Sequence, residues 1–239
     1  HCLKHAPKVT GWDAMVNPAT RRCGGLAAAR FAPHLMPMTD TGITISPGFL
    51  PAQRGAAAQL FWNAFGAKLG KVMGPEHLAL KFLSAVADPA HAISAQGPDG
   101  ALMGLAGFKT ATGGFIGGGL TDLAATYGWL GTAWRAPILA LLERDLTADT
   151  LLMDGIFVAP NARGKGIGTA LLKAIKLQAV QRGLSKVRLD VIDSNPRAKA
   201  LYTREGFVAG EVQHLGPLRH IFGFRHATTM IWHDCTAAS

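Results

Sequence analysis

Cysteine is scarce in this chain: Cys2, Cys23 and Cys235 are the only three among 239 residues. An odd trio split between the two ends does not make a disulfide framework, so a reducing, cytoplasmic setting is the expectation. No spacing of Cys and His suggests zinc, and no metal site is expected. His214, His220, His226 and His233 recur at loose intervals and read as strand and loop residues. Charged residues are also few, at 16%, against 49% hydrophobic, which excludes global disorder and allows a sizeable core. Acids are outnumbered 15 to 24 by Lys and Arg, giving a formal net charge of +9. Such a surface attracts polyanions. There is no dense Lys/Arg run and no interleaved aromatic ladder, so nucleic acid is not the expected partner. Nor is there an apolar run fit to cross a bilayer. The longest candidate, within residues 111–150, is broken by Arg135 and Pro137, and no membrane partner is expected.

The chain starts with His1, and residues 1–40 mix Pro, Arg, Ala and His without periodicity or the apolar stretch of a signal peptide. They are read as an N-terminal extension, either irregular or not native coding sequence, as if upstream of a start at Met36 or Met38, with a single domain over 41–235. Thr41–Ser46 alternates and is β-branched, predicting a strand. Helices are predicted over Gln53–Phe65 and Pro75–Ala87, and strands over His91–Gln96 and Ala101–Thr110 with a GPDG turn between them. Residues 111–150 open with glycines and continue with apolar residues. They predict an insertion of two short helices, with a cover over the substrate site or a dimer surface as the sharper alternative. From Leu151 the rhythm changes: strand, glycine loop, helix to Arg182, the strand Lys186–Ile192, the helix Asn195–Glu205, then strands over Phe207–Gln213 and Phe224–Trp232. This mixed order means an α/β or α+β domain.

Two segments carry chemistry. In Val158-Ala-Pro-Asn-Ala-Arg163-Gly-Lys-Gly-Ile-Gly168 a strand ends and a glycine-rich loop opens a helix. Glycines let a ligand approach the backbone closely, and the first helical amides carry the positive end of the helix dipole. With Arg163 and Lys165 they suit a pyrophosphate. The phosphate-loop pattern GxxxxGK[ST] is absent, and GxGxxG fails because position 169 is Thr169. The bland alternative is an ordinary tight turn. In the second segment, Asn195 is a good N-cap and Pro196 a good first helical residue. Seven residues on, about two turns, Tyr202 falls on the same face roughly 10 Å away.

These segments resemble the GNAT superfamily of N-acetyltransferases. Arg163, Gly166 and Gly168 match its [QR]xxGx[GA] cofactor motif; Asn195, Ala198, Leu201, Tyr202, Gly206 and Phe207 match NxxAxxLYxxxGF. The resemblance implies a mixed, mostly antiparallel sheet flanked by helices and splayed between the fourth and fifth strands. It implies acetyl-CoA as co-substrate, held by Ile156, Phe157 and Val158 along the strand, by Arg163, Gly164, Lys165, Gly166, Ile167 and Gly168 at the pyrophosphate, and by Asn195 and Tyr202. Arg197 or Lys199 could meet the nucleotide phosphate, or be a solvated helix face. The acceptor would be a small-molecule, peptide or protein amine, and such proteins are often homodimers.

Transfer in this family is typically direct, within a ternary complex. A backbone amide of the splayed strand, such as that of Val158, would polarise the thioester carbonyl. Tyr202 is the expected general acid, against the alternative of an aromatic packed on the sheet. An alkyl amine is only about one part in a thousand neutral at pH 7, so a base is needed. Asp190 is one candidate: in the family members that acetylate a ribosomal protein's N-terminus, a Glu at the matching position accepts the proton. Asp154 is the other. Either acid could instead be structural, and an acyl-CoA-binding regulator without turnover is the competing function.

Overall fold

The computed structural model describes residues 42–141 and 146–234. The extension 1–40, Thr41 and all three cysteines lie outside the described residues. Among the described residues eight strands form one sheet: β1 (Thr44–Pro47), β2 (Ala92–Gln96), β3 (Leu102–Thr110), β4 (Gly113–Gly114), β5 (Thr150–Val158), β6 (Lys186–Ile192), β7 (Val208–His214) and β8 (His226–His233). Their order is β1-β2-β3-β5-β6-β8-β7, with the two-residue β4 folded back on β3. Every pairing is antiparallel except β5 with β6. The helices are α1 (Arg54–Met73), α2 (Glu76–Val86), α3 (Leu120–Ala140), α4 (Ile167–Gln181), α5 (Pro196–Arg204) and α6 (Arg219–Phe222).

The helices sort to two faces, each burying its own core. On one face Leu171, Leu172 and Ile175 of α4 and Tyr202 of α5 pack against Ile93, Phe108, Leu151, Val187 and Leu189. On the other, Phe61 of α1, Phe82 and Leu83 of α2 and Leu123 of α3 pack against Leu105, Phe115 and Phe157. The strict alternation of β6 places Val187, Leu189 and Val191 on the α4 side, and so turns Arg188, Asp190 and Ile192 toward the other.

Helix α1 runs eight residues beyond the expected end at Phe65. Gly66 and Gly70 suggest a loop, but Val72 and Met73 beyond them are buried. Gly66 is also needed there: a Cβ would stand 2.8 Å from the Trp62 ring. Apolar burial outweighs the cost of two helical glycines, about 1 kcal/mol each. In the insertion, the expected pair of helices exists as one run, α3, broken at Gly128, whose φ of 69° and ψ of 166° are not helical. Pro137 lies inside its second half. The insertion is tied to α1 by Arg135. Its Nε donates to the Val72 carbonyl (2.8 Å) and Nη2 to that of Gly74 (3.1 Å), closing the C-terminal end of α1. The same guanidinium lies 4.2 Å from the centroids of both Tyr127 and Trp134.

Candidate active site

β5 and β6 part company. They pair for three positions only, ending at Leu152 with Arg188. Beyond that β5 follows β3 to Val158 opposite Gly104, and β6 follows β8 to Ile192 opposite Ala227. The stretch Ile156–Val158 is therefore laddered on one edge and faces a wedge on the other.

A bulge shapes the wedge wall. Gly155 sits opposite Gly107 and Met153 opposite Phe108, leaving Asp154 as the extra residue. The bulge reverses side-chain parity. Leu151 and Met153 belong to the α4-side core, whereas Phe157, at the same parity in sequence, belongs to the α1-side core. Asp154 is thereby exposed at the point where the sheet opens.

The glycine loop stands at the end of β5. Gly164 and Gly166 have φ of 80° and 75°, and a Cβ added at either would meet nothing within 4 Å. The backbone needs glycine there, and the space above it is open. Gly166 is the N-cap of α4 and has no side chain to offer, so the first-turn amides of Ile167, Gly168 and Thr169 receive no cap from it. The chains of Arg163 and Lys165 are exposed beside them. Arg163 also turns back on the strand, its Nε donating to the Val158 carbonyl at 3.4 Å. The two motif segments meet at Gly168, where a Cβ would lie 3.3 Å from Leu201 Cδ2. They are joined again by Lys176, whose Nζ donates to Glu205 at the end of α5, to the carbonyl at 2.9 Å and to Oε2 at 3.1 Å.

The wedge opens into a cavity of about 420 Å³, within the usual range for small-molecule sites. Asp154 and Ile156 of β5 line it from one side, Asp190 of β6 and Asn195 and Tyr202 of α5 from the other. Asp190 is held firmly: its side chain is 2% exposed, Thr229 Oγ1 donates to its Oδ1 at 2.6 Å, and Arg188 stands 3.8 Å from Oδ2. Asn195 Oδ1 accepts from the Ala198 amide at 3.2 Å, the N-cap expected of it. Tyr202 is 8% exposed, with its ring 6.0 Å from that of Phe207. Burial pushes its phenol up to about 12.

Among the other expected site residues, Phe157 and Ile167 have side chains buried in the two cores, so only their backbone can face a ligand. Arg197 and Lys199 are exposed on α5. Sequence reasoning missed most of the cavity wall. It comes from α1 (Phe61, Phe65, Lys68, Leu69), from α3 (Leu123, Leu139), and from Phe222 and Phe224 before β8. Lys71 Nζ, donating to the His220 carbonyl at 2.8 Å, ties α1 to α6 there. No local motif marks these residues. Insertion length was the available signal, in the alternative that 111–150 covers the site.

The mixed, mostly antiparallel sheet with helices on both faces matches the fold of solved acetyltransferases. The N-acetyltransferase from Staphylococcus aureus Mu50 superposes with a TM-score of 0.54 at 17% identity, over 79% of this chain and 99% of that one. A GNAT superfamily phosphinothricin acetyltransferase from Sinorhizobium meliloti, solved in complex with AcCoA, gives 0.50 at 17% identity over 80% and 88%. The Acetyltransferase (GNAT) family model matches residues 99–207, and this segment belongs to that family. In sequence, the thialysine N-epsilon-acetyltransferase of Bos taurus is 39% identical over 56 residues, 23% of this chain and 33% of that protein. The chain thus spans about a third of the length of the curated relatives it matches.

Proposed function

We propose that this protein is an N-acetyltransferase that moves an acetyl group from acetyl-CoA directly to a primary amine in a ternary complex. The observation that carries the reading is the parting of β5 from β6 after Leu152, at a wedge that ends on the uncapped first turn of α4. The residues present suit the co-substrate. The open edge of Ile156–Val158 offers backbone groups to an amide-bearing arm. The space over Gly164 and Gly166, with Arg163 and Lys165 beside it, suits a diphosphate. Acetyl-CoA supplies an activated thioester carbonyl.

The chain's own groups have four tasks. Holding two reactants in one cavity replaces a bimolecular encounter, which is worth several kcal/mol. Asp190 or Asp154 accepts the proton that the amine must lose, directly or through water, as the new C–N bond forms. Tyr202 donates to the departing sulfur as the C–S bond breaks; its buried phenol is protonated at any working pH. The amides of the freed β5 edge polarise the carbonyl. A cytoplasmic location belongs to the same proposal. Among the described residues no helix is long and apolar enough to cross a membrane.

Calorimetry with CoA tests the cradle, and thiol release from acetyl-CoA against an amine panel tests the reaction. Micromolar affinity and amine-dependent thiol release are expected. A folded sample with no affinity for CoA would overturn the reading. Affinity without release to any amine would leave an acyl-CoA-binding regulator.

A further inference from the structure

The acceptor side of the cavity is walled by Phe61, Phe65, Leu69, Leu123 and Leu139, from α1 and the insertion helix α3. Such a wall desolvates whatever occupies it, and rewards an apolar body. Its acids, Asp154 and Asp190, stand only at the wedge, on the two parted strands. A polyamine or an aminoglycoside would carry further cations into the apolar part, and no carboxylate among the described residues lines that part to meet them.

What lines it instead is a cation. Lys68, from the C-terminal half of α1, lines the cavity with its ammonium 4.9 Å from the centroid of Phe65. Among the described residues no carboxylate stands within ion-pair distance of it. Burial lowers its pKa, as expected of a cation held without a counter-charge. Lys109 of β3 lines the same cavity. A desolvated ammonium beside an apolar pocket is a receptor for a carboxylate on an otherwise apolar ligand.

Resting on the acetyltransferase reading, we propose that the acceptor is a hydrophobic α-amino acid. Its amine would lie at the wedge between Asp154 and Asp190, its aromatic or branched side chain against Phe61, Phe65 and Leu123, and its carboxylate on Lys68.

The test compares kcat/KM for L-phenylalanine, 2-phenylethylamine and spermidine, in the full chain and in Lys68→Met and Lys68→Arg. L-phenylalanine should be preferred to 2-phenylethylamine about tenfold, the equivalent of about 1.4 kcal/mol, with spermidine the poorest of the three. Lys68→Met should collapse the first ratio toward one through KM, and Lys68→Arg should restore part of it. Calorimetry of L-phenylalanine into CoA-saturated protein gives a readout independent of turnover. Equal rates on L-phenylalanine and 2-phenylethylamine, a preference for spermidine, or no binding of L-phenylalanine to CoA-loaded protein would each overturn the proposal. Loss of CoA binding itself would bring down the acetyltransferase reading instead.

Discussion

Thr229 Oγ1 donates a 2.6 Å hydrogen bond to Asp190 Oδ1 across the β6–β8 pair, where the two residues sit in direct register. A carboxylate buried to 2% exposure at the wall of a cavity is thereby fixed in one orientation, with Arg188 on its other side. This turns an otherwise ambiguous strand acid into a positioned one. Thr229→Val keeps the shape and removes the donor. It should cost about 1–2 kcal/mol of stability and lower kcat severalfold if Asp190 takes the proton. Asp190→Asn should then lower kcat further, while CoA affinity holds in both. Denaturant melts and initial rates decide; unchanged kcat in both variants transfers the role to Asp154.

The chain has two tyrosines, Tyr127 and Tyr202, and burial pushes both phenols up to about 12. Tyr127 is further engaged as donor to the Met73 carbonyl, while the Arg135 charge beside it acts in the opposite direction. Folded pKa values lie above unfolded ones. The contribution to stability is therefore complete below pH about 10 and is lost as pH rises from there through about 12. Phenolate absorbance should stay flat in the native protein as pH passes 10 and appear near there in the unfolded chain. A native titration at the ordinary tyrosine value would contradict the burial.

Tyr202→Phe removes the proposed donor and little else, since the ring still fills its place beside Phe207. Turnover should fall by about two orders of magnitude, the usual scale of general acid catalysis, with CoA affinity within twofold. An unchanged kcat would remove Tyr202 from the mechanism and leave it an aromatic packed on the sheet.

Gly166 has φ of 75° at the mouth of α4. Gly166→Val forces a β-branched residue into the left-handed region, costing about 1–2 kcal/mol of folding stability, and sets a side chain over the amides. CoA affinity should drop at least tenfold. A Gly183→Val control, at φ 71° beyond the other end of α4, should cost similar stability and leave CoA affinity alone.

Arg135 closes the end of α1 and sits between two rings of the insertion. Arg135→Met should destabilise by about 2–3 kcal/mol and raise acceptor KM, because α1 and α3 wall the part of the cavity proposed to take the acceptor. CoA affinity, which the proposed function places at the glycine loop, should persist. Equal loss of both affinities would show that the insertion supports the whole site.

The sequence alone determined the elements from Leu151 onward and the local chemistry attached to them. A strand running into Gly164-Lys-Gly166, an N-cap at Asn195 and a helix ended at Gly206 follow from φ preferences, missing side chains and orphan amides. Those are properties of a few consecutive residues. It also indicated that the apolar insertion carries helix, which the structure shows over Leu120–Ala140. It did not reveal that α1 continues through Gly66 and Gly70, because helix propensity is local while the burial of Val72 and Met73 is not. Only the tertiary structure decided what surrounds the wedge. The bulge at Asp154, the 2.6 Å anchor between Asp190 and Thr229, and the meeting of Lys68, Leu123 and Phe222 around one cavity join residues far apart in the chain. Such contacts depend on strand register and on the crossing of helices over the sheet, and no short segment of sequence carries that information.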